Sequence, residues 1–323
     1  MKKILVTGAA GYIGSVLVRQ LLNKNYSVRG ADLLFFGGDS LLDIYNHPNF
    51  EFLKGDLRQR KFIEQILDGV TDVIHLAAIV GDPACAKQPE LAKQINLEAS
   101  KQLFHLCNEN NINKFIFAST CSNYGKMEGN NLVNENSPLK PVSLYAELKV
   151  TFEKYILDTP INDNFSPTAL RFSTVYGLSP RMRFDLTINE FIREVTIKNK
   201  LEIFGEQFWR PYCHVEDLAR SCVLVLEAPN SKVRNNVFNV GDTTQNYQKK
   251  MIADEILKTI PGAEIKYVHR SEDPRDYKVD FSKIKNILNF SITKKVPDGL
   301  AEVHKVLIDG IIQDPYLPKY GNT

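Results

Sequence analysis

Residues 1–14 read MKKILVTGAAGYIG, and this stretch decides the fold. The apolar run Ile4–Val6 is long enough for a short buried strand, and it breaks at a turn with glycine at positions 8, 11 and 14. Apolar residues then recur three or four apart from Ile13 to Leu21, which is typical of a helix packed on a sheet. A strand, a glycine turn and a helix open a dinucleotide-binding βαβ unit, in which backbone N–H groups at the helix start face a pyrophosphate.

The composition is that of an ordinary globular chain. With 323 residues it can bury a substantial core, and a formal net charge of +2 gives no reason to expect nucleic acid or an anionic membrane as a partner. No apolar run approaches the roughly 18 residues of a membrane helix, and the short N-terminal run does not fit a signal peptide. The five cysteines show no CxxC pair and the six histidines no paired ligand spacing. We therefore expect reduced thiols, a cytoplasmic protein and no metal.

The end of the second predicted strand bears on the choice of cofactor. Residues 26–31 are predicted to form this strand, and Asp32 follows it. Asp32 comes after Gly14 at close to the spacing of about 20 residues at which an acidic side chain meets the adenosine ribose. Its charge repels a 2′-phosphate, and Leu33 stands where an NADP-binding arginine would be expected. The spacing favours NAD over NADP, although a solvated Asp that merely ends a strand would read the same way.

Strands and helices alternate as far as residue 177, which predicts an α/β fold with a doubly wound parallel sheet of the Rossmann type. The alternation weakens beyond that point. We predict an NAD-binding domain at 1–177, with 212–242 returning to it, and a smaller C-terminal α/β substrate-binding lobe at 178–211 and 243–323. Helices are predicted at 89–110 and 143–158, the latter capped by Ser143, and near 186–198 and 246–259. His75, within the apolar run 72–78, reads as a satisfied core histidine rather than a ligand.

Two further segments carry residues suited to hydride transfer. Hydroxyl residues follow the predicted strand 115–118, where open α/β sheets bind ligands. Tyr145 and Lys149 lie four apart, so their side chains share one helical face. A free phenol has a pKa near 10, and we expect the Lys149 ammonium and an oxidised nicotinamide to favour the phenolate. Tyr145 could then exchange a hydroxyl proton while hydride moves. Thr120 would orient the same substrate oxygen, with Ser119 and Ser122 as alternatives.

With these motifs in order, the chain resembles the extended short-chain dehydrogenase/reductases, the nucleotide-sugar epimerase/dehydratase family. The resemblance covers essentially the whole chain. It rests on the following residues: Gly8-x-x-Gly11-x-x-Gly14, Asp32, Asp56-Leu57, Leu76-Ala77-Ala78, Asn96, Thr120, Tyr124-Gly125, Tyr145-x-x-x-Lys149, residues 171–177 and residues 209–217. It implies an NAD-dependent enzyme with a nucleotide-diphosphate sugar as its substrate.

The resemblance also implies roles for individual residues. The implied catalytic residues are Thr120, Tyr145 and Lys149. The implied cofactor contacts are Gly8, Gly11, Tyr12, Ile13, Gly14, Asp32, Asp56, Leu57, Leu76, Ala77, Ala78, Asn96, Ser119, Tyr145, Lys149 and Phe172. The implied substrate contacts are Ser122, Thr174, Arg183, Asn189, Arg210 and Arg275. Arginine suits a diphosphate because its planar fork binds phosphate bidentately. The alternative for Arg210 and Arg275 is a surface salt bridge.

Departures from the family pattern narrow the reaction. The 4,6-dehydratases carry an Asp-Glu pair after the catalytic threonine, and this chain has Cys121-Ser122 there, which disfavours a dehydratase. The Cys and His of GDP-fucose synthases are also missing from their positions. A 4-epimerase with a transient 4-keto sugar is expected first. The alternative is a C4 dehydrogenase or ketoreductase, because residues 179–186 and 273–277 resemble nucleotide-heptose C4 dehydrogenases. A non-catalytic NAD-binding sensor is the third hypothesis, and the presence of Thr120, Tyr145 and Lys149 argues against it.

The assembly expected from the family is a homodimer. Related proteins pair through a four-helix interface, which here would use the predicted helices 89–110 and 143–158. The sequence itself contributes only the apolar faces of both helices.

Overall fold

A central parallel sheet organises the molecule. The computed structural model describes residues 2–127, 131–269 and 275–322. Its strands are β1 Lys3–Thr7, β2 Ser27–Asp32, β3 Phe50–Lys54, β4 Asp72–His75, β5 Lys114–Thr120, β6 Ser166–Phe172, β7 Thr174–Tyr176, β8 Lys200–Phe204, β9 Trp209–His214, β10 Asn236–Val240, β11 Asn246–Gln248 and β12 Glu264–Val268. Seven of them pair in parallel in the order β3-β2-β1-β4-β5-β6-β10.

Helices cover both faces of this sheet. They are α1 Tyr12–Asn23, α2 Arg60–Leu67, α3 Asp82–Lys87, α4 Pro89–Lys93, α5 Ser100–Glu109, α6 Leu144–Asp158, α7 Thr187–Lys198, α8 Val215–Glu227, α9 Asn230–Val233, α10 Lys249–Thr259, α11 Ser282–Leu288 and α12 Val296–Ile308. Helices α1 and α8 pack together, and α5 packs between α2 and α6. Strands β4, β5 and β6 are buried along their whole length, as expected for a parallel sheet with helices on both sides.

The strand order indicates where in the fold a ligand would bind. The chain moves outward from β1 to β2 and β3, then crosses back to β4 on the other side of β1. In open α/β sheets the crevice at such a reversal, beyond the carboxyl ends of the strands, is where ligands bind. Here the crevice lies between Gly8, which follows β1, and residues 76–78, which follow β4.

The smaller sheets belong to the later part of the chain. Strands β11, β9 and β7 form one of them, and β12 pairs with β8 in the other. The region predicted to return to the first domain, 212–242, is divided. Its first three residues belong to β9 in the small sheet, whereas α8 packs on α1 and β10 pairs with β6. Strand β12 and helices α11 and α12 were not predicted.

The predicted helix 89–110 is present as an unbroken helical segment from Pro89 to Glu109, but its middle is not α-helical. Between α4 and α5 the chain forms a π-helix over Gln94–Ala99. The Ser100 hydroxyl donates to the Ile95 carbonyl 3.1 Å away, and Asn96 turns inward to the backbone of Ile79. Single π-turns inside helices are often found at functional sites, and this one lies against the crevice.

The buried polar groups of the core are satisfied by neighbours. His75 is buried, with Nδ1 2.7 Å from the Thr7 hydroxyl and Nε2 2.9 Å from the Ser100 hydroxyl, as expected of a core histidine. All five cysteines are buried and unpaired with one another. No helix among the described residues combines the length and apolar character that a membrane span requires.

Candidate active site

The glycine turn after β1 brings three segments of backbone close together. Gly8 has φ +74°, and a Cβ on it would lie 2.9 Å from the nitrogen of Ala77. A Cβ on Gly14, in the first turn of α1, would lie 2.0 Å from the Gly8 carbonyl oxygen. Among the described residues, no side chain caps the start of α1. Its first backbone N–H groups and the positive end of its dipole therefore remain available to an anion.

Asp32 is held at the end of β2 by two backbone donors. The nitrogen of Ala10 donates to one carboxylate oxygen at 3.1 Å, and the nitrogen of Leu34 donates to the other at 2.8 Å. Burial raises the pKa of Asp32, and the backbone donors oppose that rise. Each oxygen keeps acceptor capacity, so the carboxylate can receive ribose hydroxyls.

Lys149 is a buried residue in the lining of the crevice. Its Nζ donates to the Ala118 carbonyl at 2.6 Å and lies 4.6 Å from the centre of the Phe117 ring. Burial lowers the pKa of Lys149 to about 8. The Nζ is 5.9 Å from the centre of the Tyr145 ring, one helical turn earlier on α6.

Tyr145 does not have the lowered pKa expected from its lysine neighbour. Burial raises the pKa of Tyr145, and the neighbouring Cys85 and Asp82 raise it further. Arg183, rather than Lys149, is the neighbouring cation that lowers this pKa. The phenol is therefore the stable form in this structure, because removal of the hydroxyl from water outweighs the nearby positive charge.

The hydroxyl residues that follow β5 divide into two groups. Thr120 accepts a hydrogen bond from the nitrogen of Ser122 at 3.1 Å, which leaves its own proton free to be donated. Ser119 instead donates to the buried carboxylate of Glu153 at 2.6 Å. Thr120 is thus the hydroxyl donor that lines the crevice, and the Ser119 hydroxyl belongs to the core.

The crevice encloses a cavity of about 350 Å³. Most of the predicted site residues line it, namely Gly8, Gly11, Tyr12, Ile13, Gly14, Asp32, Asp56, Leu57, Leu76, Ala77, Ala78, Ser119, Thr120, Tyr145, Lys149, Phe172 and Arg183. Among the described residues, six of the predicted site residues lie outside the lining: Asn96, Ser122, Thr174, Asn189, Arg210 and Arg275.

Two of these six residues support the cavity wall. The Asn96 amide accepts from the nitrogen of Ile79 and donates to its carbonyl, both at 2.8 Å, and Ile79 lines the cavity. The Asn189 amide accepts from the nitrogen of Gly177 at 3.0 Å and donates to the Tyr12 hydroxyl at 3.0 Å. Tyr12 in turn donates to the Gly177 carbonyl at 2.5 Å. Both asparagines therefore hold backbone and side chains that form the cavity.

The remaining predicted substrate residues gather beyond Tyr145. Arg210 lies over the Tyr277 ring, 5.4 Å from its centre, and Arg275 pairs with Asp82 at 3.0 Å. The Tyr277 hydroxyl reaches the Ser122 hydroxyl at 3.5 Å. Thr174 pairs with Tyr212 in the small sheet. Residues 272–274 of the predicted arginine loop lie outside the described residues.

Several residues that line the cavity were not predicted. They are Phe35 and Phe36 after β2, Ile79 and Val80 after β4, Arg181, and Asn322 near the C-terminus. The arginines of the loop 179–185 are visible in the sequence, but the resemblance implied a substrate contact only for Arg183. Nothing local to residue 322 could have placed it in the lining of the same cavity as Asp32, because that position depends on the whole fold.

The parallel sheet, the open helix start and the Tyr–Lys pair define a dinucleotide-dependent enzyme of the Rossmann type. The model of the NAD-dependent epimerase/dehydratase family matches residues 4–241, and the chain belongs to this family. It is 32% identical over 313 residues to the uncharacterized UDP-glucose epimerase YtcB of Bacillus subtilis (strain 168), a match that covers 92% of this chain and 95% of that relative.

Two solved structures show the same fold. One is UDP-glucuronic acid 4-epimerase from Bacillus cereus in complex with UDP-glucuronic acid and NAD, with a TM-score of 0.82, 29% identity, and coverage of 95% of this chain and 99% of that one. The other is UDP-glucose 4-epimerase from Thermotoga maritima with UDP-glucose, with a TM-score of 0.84, 26% identity, and coverage of 96% and 99%. The predicted family, fold, enzyme class and NAD cofactor are confirmed.

The residues of the cavity fit NAD. The glycine cradle has no room for a Cβ at Gly8 or Gly14, the helix start offers N–H groups to a pyrophosphate, and Asp32 offers its carboxylate to a ribose. In the described part of the chain, no group of three or more His, Cys, Asp or Glu side chains could hold a metal ion.

Proposed function

We propose that this protein is an NAD-dependent nucleotide-sugar 4-epimerase. It would oxidise the sugar at C4 to a transient ketone and reduce that ketone from the opposite face. The observation that carries the proposal is that Tyr145 and Thr120 line the same cavity, with Cys121 and Ser122 in place of a carboxylate pair. The relatives named above are epimerases by name, which supports the same reaction.

The chain's residues supply the proton chemistry. When bound, NAD would supply the hydride acceptor and donor for the sugar C4. Tyr145 acts in its phenolate form, after loss of its proton to solvent. The phenolate takes the C4 hydroxyl proton as the sugar is oxidised, and the resulting phenol gives that proton back as the ketone is reduced, so the proton count closes over one cycle. Thr120 donates a hydrogen bond to the same sugar oxygen. Because burial keeps Tyr145 as a phenol, oxidation at C4 should become faster as pH rises.

The substrate is proposed to be a nucleotide-diphosphate sugar held between the two parts of the chain. Arg210 and Arg275 flank Tyr277 close to the Tyr145 end of the cavity, where two guanidinium groups suit a diphosphate. We assign the segments 178–211 and 243–323 as the substrate-binding lobe. A diphosphate would compete with Asp82 for Arg275.

A deuterium-transfer experiment tests the reaction. The enzyme is mixed with UDP-glucose or UDP-glucuronate deuterated at C4, and the products are analysed by NMR. The expected result is the C4 epimer with deuterium retained at C4 and no net reduced cofactor. Release of reduced cofactor that carries the deuterium, with a 4-keto sugar as the end product, would contradict epimerisation and identify a C4 dehydrogenase.

We also propose a cytoplasmic homodimer that pairs through the helical segment 89–110 and the helix 143–158. Half-buried Leu97 and Leu144 pack at this side on the small cluster of Cys85, Ala92 and Leu148, which supports an apolar contact there. Light scattering at micromolar concentration should give twice the mass of 36.7 kDa. A monomer under those conditions would contradict the proposed assembly.

A further inference from the structure

Arg181 lies in the cofactor end of the cavity, although the family resemblance assigns it no role. It is only 7% exposed and lines the cavity together with Asp32, Phe36 and Asn322. Its guanidinium lies 4.3 Å from the centre of the Phe36 ring, and one terminal nitrogen donates to the Gly321 carbonyl at 2.9 Å. A ring on one side and the C-terminal segment 318–322 on the other thus hold this side chain in place.

The loop that carries Arg181 is fastened to the first turn of α1. The Ser179 hydroxyl donates to the Tyr12 carbonyl at 2.7 Å and lies 3.1 Å from the Ser15 hydroxyl. The backbone nitrogen of Arg181 donates to the Ser179 hydroxyl at 3.3 Å. Burial lowers the pKa of Arg181 to about 10 and raises that of Asp32, and the opposite charges of the two groups counteract both shifts. Arg181 therefore lies between the start of α1 and the carboxylate at the end of β2.

The polar atoms of this group are incompletely satisfied. Within the described residues, Nε of Arg181 is buried without a hydrogen-bond partner, and so is Oδ1 of Asn322. Arg183 differs, because both oxygens of Asp185 receive its hydrogen bonds at 2.9 and 2.7 Å. A buried guanidinium without a carboxylate partner is costly, and such charges are normally paired. A buried donor beside a buried acceptor calls for a ligand that offers both an anionic oxygen and a hydroxyl.

We propose that Arg181 binds the pyrophosphate of the cofactor and that Asn322 accepts a hydrogen bond from its adenosine ribose. A dinucleotide between the start of α1 and Asp32 presents these two groups side by side. Gly321 orients the guanidinium, so the C-terminal segment becomes part of the cofactor site. The proposal concerns cofactor binding and holds whichever reaction the enzyme performs at C4.

Binding of ligand fragments to the Arg181→Met variant tests the proposal. Dissociation constants for NAD, ADP and adenosine are measured by calorimetry or NMR titration. Loss of a charged hydrogen bond should weaken NAD and ADP binding by about 10- to 100-fold and leave adenosine binding unchanged, because adenosine has no phosphate. The matched control is Arg60→Met, which removes an exposed arginine paired with Glu64 on α2 and should change none of the three constants.

Other outcomes would overturn the proposal. Equal weakening of adenosine and ADP would mean that Arg181 only shapes the cavity, and unchanged ADP binding would mean that it does not contact phosphate. Should Arg181→Met fail to fold, Asn322→Ala near the end of the chain still tests the ribose contact on which the proposal also depends. It should weaken adenosine and ADP binding by the same factor of about 3 to 10. Unchanged adenosine binding in that variant would contradict the ribose contact.

Discussion

The cofactor end of the cavity is formed mainly by backbone, whereas the proposed substrate end depends on side chains. At the cofactor end, the fold itself makes most of the site through the φ of Gly8, the close approach of Gly14 and the open start of α1. At the proposed substrate end, side chains from separate segments would make the site, among them Arg210 and Arg275, which lie outside the cavity lining. A site made of backbone demands particular residues at fixed spacing, whereas a site made of side chains can change its ligand by single substitutions. This difference explains why the sequence predicts the cofactor but does not identify the sugar of the substrate.

The largest effect is expected where the two ends meet. Tyr145→Phe removes the proton-transferring oxygen and should lower kcat by about 10²- to 10⁴-fold. Cofactor affinity should stay nearly the same, because the ring still fills the wall. Steady-state turnover and an NAD titration measure the two effects, with Tyr45→Phe, an exposed tyrosine away from the cavity, as the control. Turnover that survives the loss of this hydroxyl would remove the proposed mechanism.

Substitution of Gly8 tests how far cofactor binding depends on the close approach of backbone at the glycine turn. Gly8→Ala places a Cβ 2.9 Å from a backbone nitrogen at φ +74°, so the turn must move. We expect NAD affinity to fall by at least about tenfold, with a lower Tm. Gly262→Ala is the matched control, because a Cβ there meets nothing within 4 Å and the backbone needs no positive φ. Similar NAD affinity in both variants would show that the close approach is not needed.

Substitution of Arg210 tests the proposed substrate end without changing the cofactor end. Arg210→Met should raise KM for the nucleotide sugar by about tenfold and leave the NAD dissociation constant unchanged. Arg210→Lys should recover only part of the loss, because lysine keeps the charge without the planar fork. A change in NAD affinity of the same size as the change in KM would mean that the two ends are not separate.

The smallest effect on activity is expected from the core beneath both ends. Burial lowers the pKa of His75 to about 3, so between pH 3 and 6.5 the unfolded chain binds a proton that the folded chain does not. The free energy of unfolding must therefore rise with pH in this window, by up to about 1.4 kcal/mol per pH unit from this residue. His75→Gln should flatten that rise in urea titrations while turnover at neutral pH stays close to normal. An equally steep rise in the variant would contradict this assignment.

The sequence predicted the parts of the site that depend on local spacing. The glycines at 8, 11 and 14, Asp32, and the Tyr145–Lys149 pair follow rules that operate within one turn or one strand, and the structure places all of them along one cavity. The i, i+4 spacing likewise predicted that Tyr145 and Lys149 share one face of a helix.

The remaining parts depend on contacts between distant segments. The π-helix at Gln94–Ala99 accompanies hydrogen bonds from the Asn96 side chain to the backbone of Ile79 and from the Ser100 side chain to the backbone of Ile95, and the first of these joins separate segments. The raised pKa of Tyr145 results from burial by several elements, which no spacing rule reports. Arg181 required the C-terminal segment to reach across the molecule. Each of these features is a property of the assembled fold.

The position of β10 bears on how the chain is synthesised. Strand β6 lies between β5 and β10, and β10 ends at Val240. While the chain emerges from the ribosome, β6 can pair with β5 on one side. Its other side stays an open edge of the sheet until residue 240 has been synthesised. An apolar edge strand of this kind is prone to intermolecular pairing. Nascent chains that stall before residue 240 should therefore depend on chaperones, and a fragment ending at residue 177 should not be a stable substitute for the cofactor domain.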